Sequence, residues 1–242
     1  MDALMMAKEG AKIVVSDINA ELGEQTAQDI RDAGGDAIFV KCDVTKSAEV
    51  AALMDAAVDK YGKLDVLVAN AGIAVWGNIV DTAEEDFDRV IAINLKGVFL
   101  SMKYAIPKMI AGGGGSIINM SSVSGRKGFP GLTAYNASKG GVTLLTYNVA
   151  AAYGDKGIRC NCLCPGMVDL TGLGDMMQGI QREAAAARGV PAPPPPRSTG
   201  VPHGRWGRPA EVANLIIYLA SDESTWTNGA AIIIDGGNLA RR

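Results

Sequence analysis

The stretch AYNASKGG sets Tyr135 and Lys139 four residues apart. On a helix that spacing puts both side chains on one face. A phenol beside an ammonium is a proton-transfer pair. Free Tyr titrates near about 10, and adjacent positive charge favours the phenolate, bringing general acid–base work towards neutral pH. Alone the pair is weak, because Tyr and Lys recur at this spacing on many solvated helices. It gains weight from its neighbours. The run SIINMSS reads as a strand delivering Ser121 and Ser122 at its C-terminal end, where open α/β sheets place their ligands. Asn70, Ala71 and Gly72 (NAG) end an earlier strand in the same way, and Asn94 falls within the helix between. Taken singly, the serines read as turn hydroxyls at a strand end and Asn94 as a solvated helix residue. Tyr61, Tyr104 and Tyr153 lack such a context and read as packing residues.

Residues so far apart need a scaffold, and the pattern of the chain describes one. AKIVVSD, DAIFVKCDV, LDVLVANAG, GSIINMSS, IRCNCLCPG and AAIIIDGG are short apolar runs. Helical stretches lie between them: NAELGEQTAQDIRDAG stopped by Gly34 and Gly35, SAEVAALMDAAVDKYG with Ser47 as N-cap and Gly62 past its end, a long region from Thr82 to Ile110, Tyr135 to Tyr153, and PAEVANLIIYLAS. Strand–helix alternation implies an α/β fold, a Rossmann-like doubly wound parallel sheet with helices on both faces. Residues 1–242 read as a single domain without internal repeats. AGGGGS at 111–116 ends a helix and enters a strand, so it reads as a helix stop and turn rather than a phosphate cradle. The segment 170–208, with Pro193 to Pro196, breaks the alternation and reads as a substrate lid. Leu173, Met176 and Met177 suggest an apolar lining for it; His203 reads as a solvated loop residue, with substrate contact the less favoured reading.

Composition narrows the function classes. Of 242 residues, 48% are hydrophobic, 20% charged and 5% aromatic, with a net charge of −3. That balance gives no reason to expect nucleic acid or an anionic membrane as partner. No stretch reads as the ~18 apolar residues of a membrane span, and the first residues do not read as a signal peptide. Cys160, Cys162 and Cys164 alternate on one strand face without a second ligand cluster. They read as buried strand residues in a reducing compartment, the cytoplasm, with no metal site expected and a metal or redox role as the minor alternative.

In order along nearly the whole chain, DVT at 43–45, NAG at 70–72, NLKGVF at 94–99, Ser122 thirteen residues before Tyr135, YNASK at 135–139, PGMV at 165–168 and the ending NGAAIIIDGG resemble the short-chain dehydrogenase/reductase family. The resemblance implies a catalytic tetrad of Asn94, Ser122, Tyr135 and Lys139. Tyr135 would exchange the proton of a carbinol or carbonyl oxygen and Ser122 would orient that oxygen. Lys139 would hold the ribose hydroxyls and favour the phenolate, and Asn94 would hold a water that relays protons towards Lys139. It also implies cofactor contacts at Asp43 and Val44 near the adenine, at Asn70, Ala71 and Gly72 near the adenosine ribose and backbone, at Tyr135 and Lys139, and at Pro165, Gly166 and Val168 near the nicotinamide. Asp17, ending the first strand, would accept from a ribose 2′-hydroxyl and repel a 2′-phosphate, which favours NAD over NADP; the bland reading is a turn or cap acid. The expected partners are a small alcohol or ketone and further copies of the chain, as a homotetramer or homodimer through the helices around 83–110 and 133–153. No nucleic acid and no membrane are expected.

Two departures qualify this. Leu170 stands where the family usually has Thr, with Thr171 following, so that contact is left unassigned. The family also begins with a strand and a T-G-x-x-x-G-x-G turn before its first helix, and AKEGA reads as the last turn of that helix. Three accounts follow. Met1 is an internal Met of a longer protein; or the chain closes the gap by pairing 13–17 with 65–70; or another chain or segment supplies the strand. Unpaired buried backbone groups cost about 1–3 kcal/mol each against a net stability of about 5–15 kcal/mol. The favoured activity is NAD-dependent interconversion of a secondary alcohol and a ketone. The alternatives are a 3-oxoacyl-thioester reductase using NADPH, and a catalytically silent scaffold with weak or no cofactor binding.

Overall fold

The computed structural model describes residues 1–169 and 200–240. In chain order the elements are α1 (Asp2–Lys8), β1 (Ile13–Asp17), α2 (Ala20–Asp32), β2 (Ala37–Lys41), α3 (Ser47–Tyr61), β3 (Val66–Ala69), α4 (Glu84–Ile91), α5 (Gly97–Ala111), β4 (Gly115–Met120), α6 (Thr133–Tyr153), β5 (Ile158–Pro165), α7 (Pro209–Ala220) and β6 (Ala231–Ile234). A π-helical turn, Ala92–Lys96, joins α4 to α5. The substrate-lid reading falls mostly outside the described residues, as do Leu170, Thr171, Leu173, Met176 and Met177.

Every strand pair is parallel, as the alternation implies, but the strands form two sheets: β1–β2, and β3–β4–β5–β6. β1 and β3 are not paired, so the account in which 13–17 zips directly onto 65–70 is not what the structure adopts. Packing joins the sheets instead. Adjacent residues of a strand face opposite sides, and β4 uses both. Ile117 joins Val50 and Met54 of α3 and Met109 of α5 in one core; Ile118 joins Leu163, Ile216 and Leu219 in another. Met6 of α1 packs against that second core and also against the cluster of Ile13, Ala27, Ile30 and Ala37 around β1–β2. α1 therefore bridges the two sheets from one face, while α3, packed in the first core, also meets β2.

The local causes are readable. Asn19 caps α2 by accepting from the Leu22 amide at 3.1 Å. α3 stops at Gly62, whose φ of +85° is the left-handed conformation glycine allows. Ser47 is not the cap of α3: it is the first helical residue, Lys46 holds the cap position, and the Ser47 hydroxyl lies 2.6 Å from that of Tyr104. Glu211 caps α7, accepting from the Arg208 amide at 2.7 Å and pairing with Arg205 at 2.6 Å, which holds its carboxyl down at about 2. The run Glu84–Ala111 corrects one expectation. By length and composition alone it is apolar enough to span a membrane, its most apolar eighteen-residue stretch having a mean hydropathy of 1.2, yet half of that stretch is buried in this protein. It is a core helix against β3, β4 and α6. All four cysteines are buried free thiols.

Candidate active site

Four elements converge on one cleft of about 340 Å³. β3 leads into Asn70 and Gly72, β4 ends at Met120, Ser121 and Ser122, α6 contributes Tyr135 and Lys139, and β5 leads into Pro165, Gly166, Met167 and Val168; Pro209 and Val212 of α7 and Asp2 of α1 complete the lining. This is the C-terminal edge of a parallel sheet, where strand ends and loops leave a crevice.

Tyr135 sits at the start of α6 with only 8% of its surface exposed. Burial pushes its phenol above the ordinary value, and a hydrogen bond with the Ser122 side chain pulls the other way. Ser122 is extended, and its hydroxyl oxygen accepts from the Ser124 amide at 3.1 Å. One helical turn after Tyr135, Lys139 is almost wholly buried. Its Nζ donates to the Met120 carbonyl at 2.7 Å and lies 5.5 Å from the centre of the Tyr135 ring. Burial lowers Lys139 to about 8.

Asn94 belongs to the same group by its bonds rather than by lining the cleft. The π turn places it, fully buried, so that Oδ1 accepts from the Ile73 amide at 2.8 Å and Nδ2 donates to the Ile73 carbonyl at 2.8 Å. Nδ2 also donates to the Ser138 hydroxyl at 3.1 Å, which in turn donates to the Tyr135 carbonyl at 2.8 Å. Asn94 thus ties the segment after β3 to the turn of α6 that carries Tyr135. At Gly72 a Cβ would lie 3.4 Å from both Lys139 Nζ and Asn94 Oδ1, so the glycine leaves a close approach open in front of the lysine.

The expected cofactor residues divide into two groups. Asn70, Gly72, Tyr135, Lys139, Pro165, Gly166 and Val168 line the cleft; Ala71 is exposed beside it. Asp17, Asp43 and Val44 do not line it. Asp17 is exposed and accepts from the Asn19 amide at 2.8 Å. Asp43 accepts from the amide and hydroxyl of Thr45, which lowers its carboxyl. Val44 packs where a Cβ on Gly97 would fall 2.9 Å from its side chain. The donors and opening around Lys139 and Gly72 fit the nicotinamide–ribose end of a dinucleotide. Among the described residues, those expected at the adenine end stand apart from that cleft. His203 is exposed, its amide donating to the Gly236 carbonyl at 3.1 Å.

Sequence reasoning missed the Met120 carbonyl, Ser138, and the pairing of Ser121 with Thr143 at 2.8 Å, which fastens β4 to α6 beside Lys139. A backbone acceptor has no side-chain signature. Ser138 lay within YNASK, next to the lysine, and was open to discovery.

A parallel α/β scaffold that brings Ser, Tyr and Lys to one strand-end cleft is the form of an oxidoreductase site. The chain belongs to the short-chain dehydrogenase/reductase family. The family model described as enoyl-(acyl carrier protein) reductase matches residues 2–238. A cis-4-hydroxycyclohexanecarboxylate dehydrogenase of Sinomonas cyclohexanicum is 39% identical, covering 98% of this chain and 90% of that protein. The 3-oxoacyl-(acyl-carrier-protein) reductase FabG of Thermotoga maritima is 38% identical, over 97% of this chain and 90% of that one. A solved gluconate 5-dehydrogenase from Burkholderia cenocepacia, in complex with NADP and tartrate, superposes with a TM-score of 0.86 at 32% identity, over 100% of this chain and 90% of that chain. General oxidoreductase activity follows from this membership.

Proposed function

We propose that the protein interconverts a secondary alcohol and a ketone with a nicotinamide dinucleotide, NAD preferred, using Tyr135 as general acid and base. The observation that carries this reading is the convergence of Ser122, Tyr135 and the buried Lys139 on one strand-end cleft. When bound, the nicotinamide supplies hydride exchange. The residues supply position and the proton. Ser122 holds the substrate oxygen, Tyr135 moves the proton at that oxygen, and Lys139 as ammonium draws the phenol towards phenolate. Asn94 holds the segment behind Gly72 and, in this reading, a water leading to Lys139. Tyr135→Phe is expected to abolish turnover while leaving dinucleotide binding by calorimetry largely intact; full activity in that variant excludes the role.

Asp17 supports NAD, while the NADP bound by the gluconate dehydrogenase argues for measuring both. A preference for NADPH with 3-oxoacyl thioesters, as the name of the Thermotoga reductase suggests, replaces the favoured reading. Absence of heat and of thermal shift with either dinucleotide favours a silent scaffold. Also proposed are a cytoplasmic location, no nucleic-acid or membrane partner, and assembly into a homotetramer or homodimer through the helices around 83–110 and 133–153. Phe99 and Leu144, 44% and 68% exposed, support that assembly. Light scattering that finds only monomer counts against it.

A further inference from the structure

Two tryptophans are markedly exposed, and they differ. Trp226 is fully exposed, one of the single surface apolar residues that proteins commonly carry. Trp76, 41% exposed, is seated. Its ring lies across Gly131, where a Cβ would fall 2.3 Å from the indole and where φ is +80°. The Gly131 amide donates to Asn78 Oδ1 at 2.9 Å, and its carbonyl accepts from the Gly77 amide at 2.8 Å. The residues on either side of the indole are therefore clamped. Both clamped segments run into the active site: Gly72, four positions before Trp76, lines the cleft, and Tyr135 lies four positions after Gly131. Leu132 packs directly on Tyr135, with Phe129 against the same cluster.

The geometry points to Trp76, which lies beyond the residues that line the cleft but over Gly131, next to the Leu132–Tyr135 cluster, as a specificity-determining residue: a preset apolar platform for the ring or branched carbon skeleton of a substrate that extends past Tyr135 while its oxygen meets Ser122 and Tyr135. This rests on the reading that the cleft acts on an alcohol or ketone. A large aromatic face offers apolar contact with few rotamers to lose, and holding it in place before binding reduces the ordering cost. A small acyclic alcohol would not reach it.

The test uses cyclohexanol and propan-2-ol as probes of the full chain with bound dinucleotide, read by saturation-transfer NMR titration and by turnover with NAD and NADP. Trp76→Ala is expected to weaken cyclohexanol binding at least tenfold and leave propan-2-ol within twofold, with Trp76→Phe restoring most of the loss. Melting curves of both variants check the fold, and the phenylalanine variant keeps the comparison open if alanine unfolds. Equal cyclohexanol affinity in wild type and variants, or equal losses for both alcohols, overturns the platform. So does wild type that binds cyclohexanol no more tightly than propan-2-ol. Binding that follows the expected pattern without turnover by wild type on either dinucleotide counts against the dehydrogenase reading instead.

Discussion

An ammonium at 3% exposure, hydrogen-bonded to the Met120 carbonyl, is costly to keep, and Lys139 bears that cost in the folded state. Its pKa falls from 10.5 to about 8. The unfolded chain therefore holds a proton that the folded chain has lost across the window from about 8 to 10.5. Stability consequently rises as pH climbs through that window, and the penalty is fully present below it. At about 1.4 kcal/mol per pK unit the penalty is of the order of 3 kcal/mol, and leaving the Met120 carbonyl unpaired returns part of it. Lys139→Met is expected to gain about 1–2 kcal/mol at pH 7 in urea denaturation and to lose turnover. Its stability should also lack the rise expected of wild type between pH 8 and 10. A variant less stable at pH 7, with the rise retained, excludes lysine burial as its source. Tyr135 shifts the other way, so above its ordinary titration the buried phenol resists ionisation and opposes the gain.

At the scale of elements, the π turn at 92–96 is what aims Asn94. A π turn bonds each amide one residue further back than an α turn does, so it accommodates an extra residue while the helices on either side keep their faces. Deleting Ala92 is therefore expected to yield a continuous α4–α5 helix with both apolar faces still docked. Asn94 would lose its two bonds to Ile73, turnover would fall at least tenfold, and the melting temperature would drop by several degrees as those groups go unpaired, the fold itself surviving. Collapse of the fold in the deletion variant counts against this account; Asn94→Ala gives the matching point change. Much of this was legible in the sequence: Ser122, Tyr135 and Lys139 stand on contiguous segments whose spacing survives folding, and β4 and β5 declared themselves as apolar runs. The π turn did not, because its residues carry ordinary helical preferences. Nor did the cap of α3, where Ser47 has the better capping chemistry but Lys46 occupies the position. Strand pairing was the largest loss, since β-branched runs mark β1 and β3 as strands without saying which strands they bond.

At the scale of the molecule, the two sheets differ in how their backbone is covered. β4 and β5 each pair on both sides and are buried on both faces, whereas β1 pairs on one side and its last residues, Ser16 and Asp17, are exposed. Native-state hydrogen exchange is expected to show β1 and β2 opening at least tenfold more readily than β4 and β5. Uniform protection across all six strands excludes a weaker β1–β2 unit. Asp17 stands on the first sheet, and Tyr135 and Lys139 stand with the second, with Met6 and the flanking helices bridging between. A molecule long enough to touch both ends acts as a staple as well as a ligand. Its binding energy is added to the cohesion of two bodies that share no backbone hydrogen bonds through their sheets. NAD should therefore slow exchange in β1–β2, while a nicotinamide mononucleotide bound at the same fractional saturation should protect only the strand ends around Tyr135. On the proposal that a dinucleotide reaches from Asp17 to Tyr135, the fold would draw part of its rigidity from its ligand, and starvation for dinucleotide would be felt first as loosening of the Asp17 sheet.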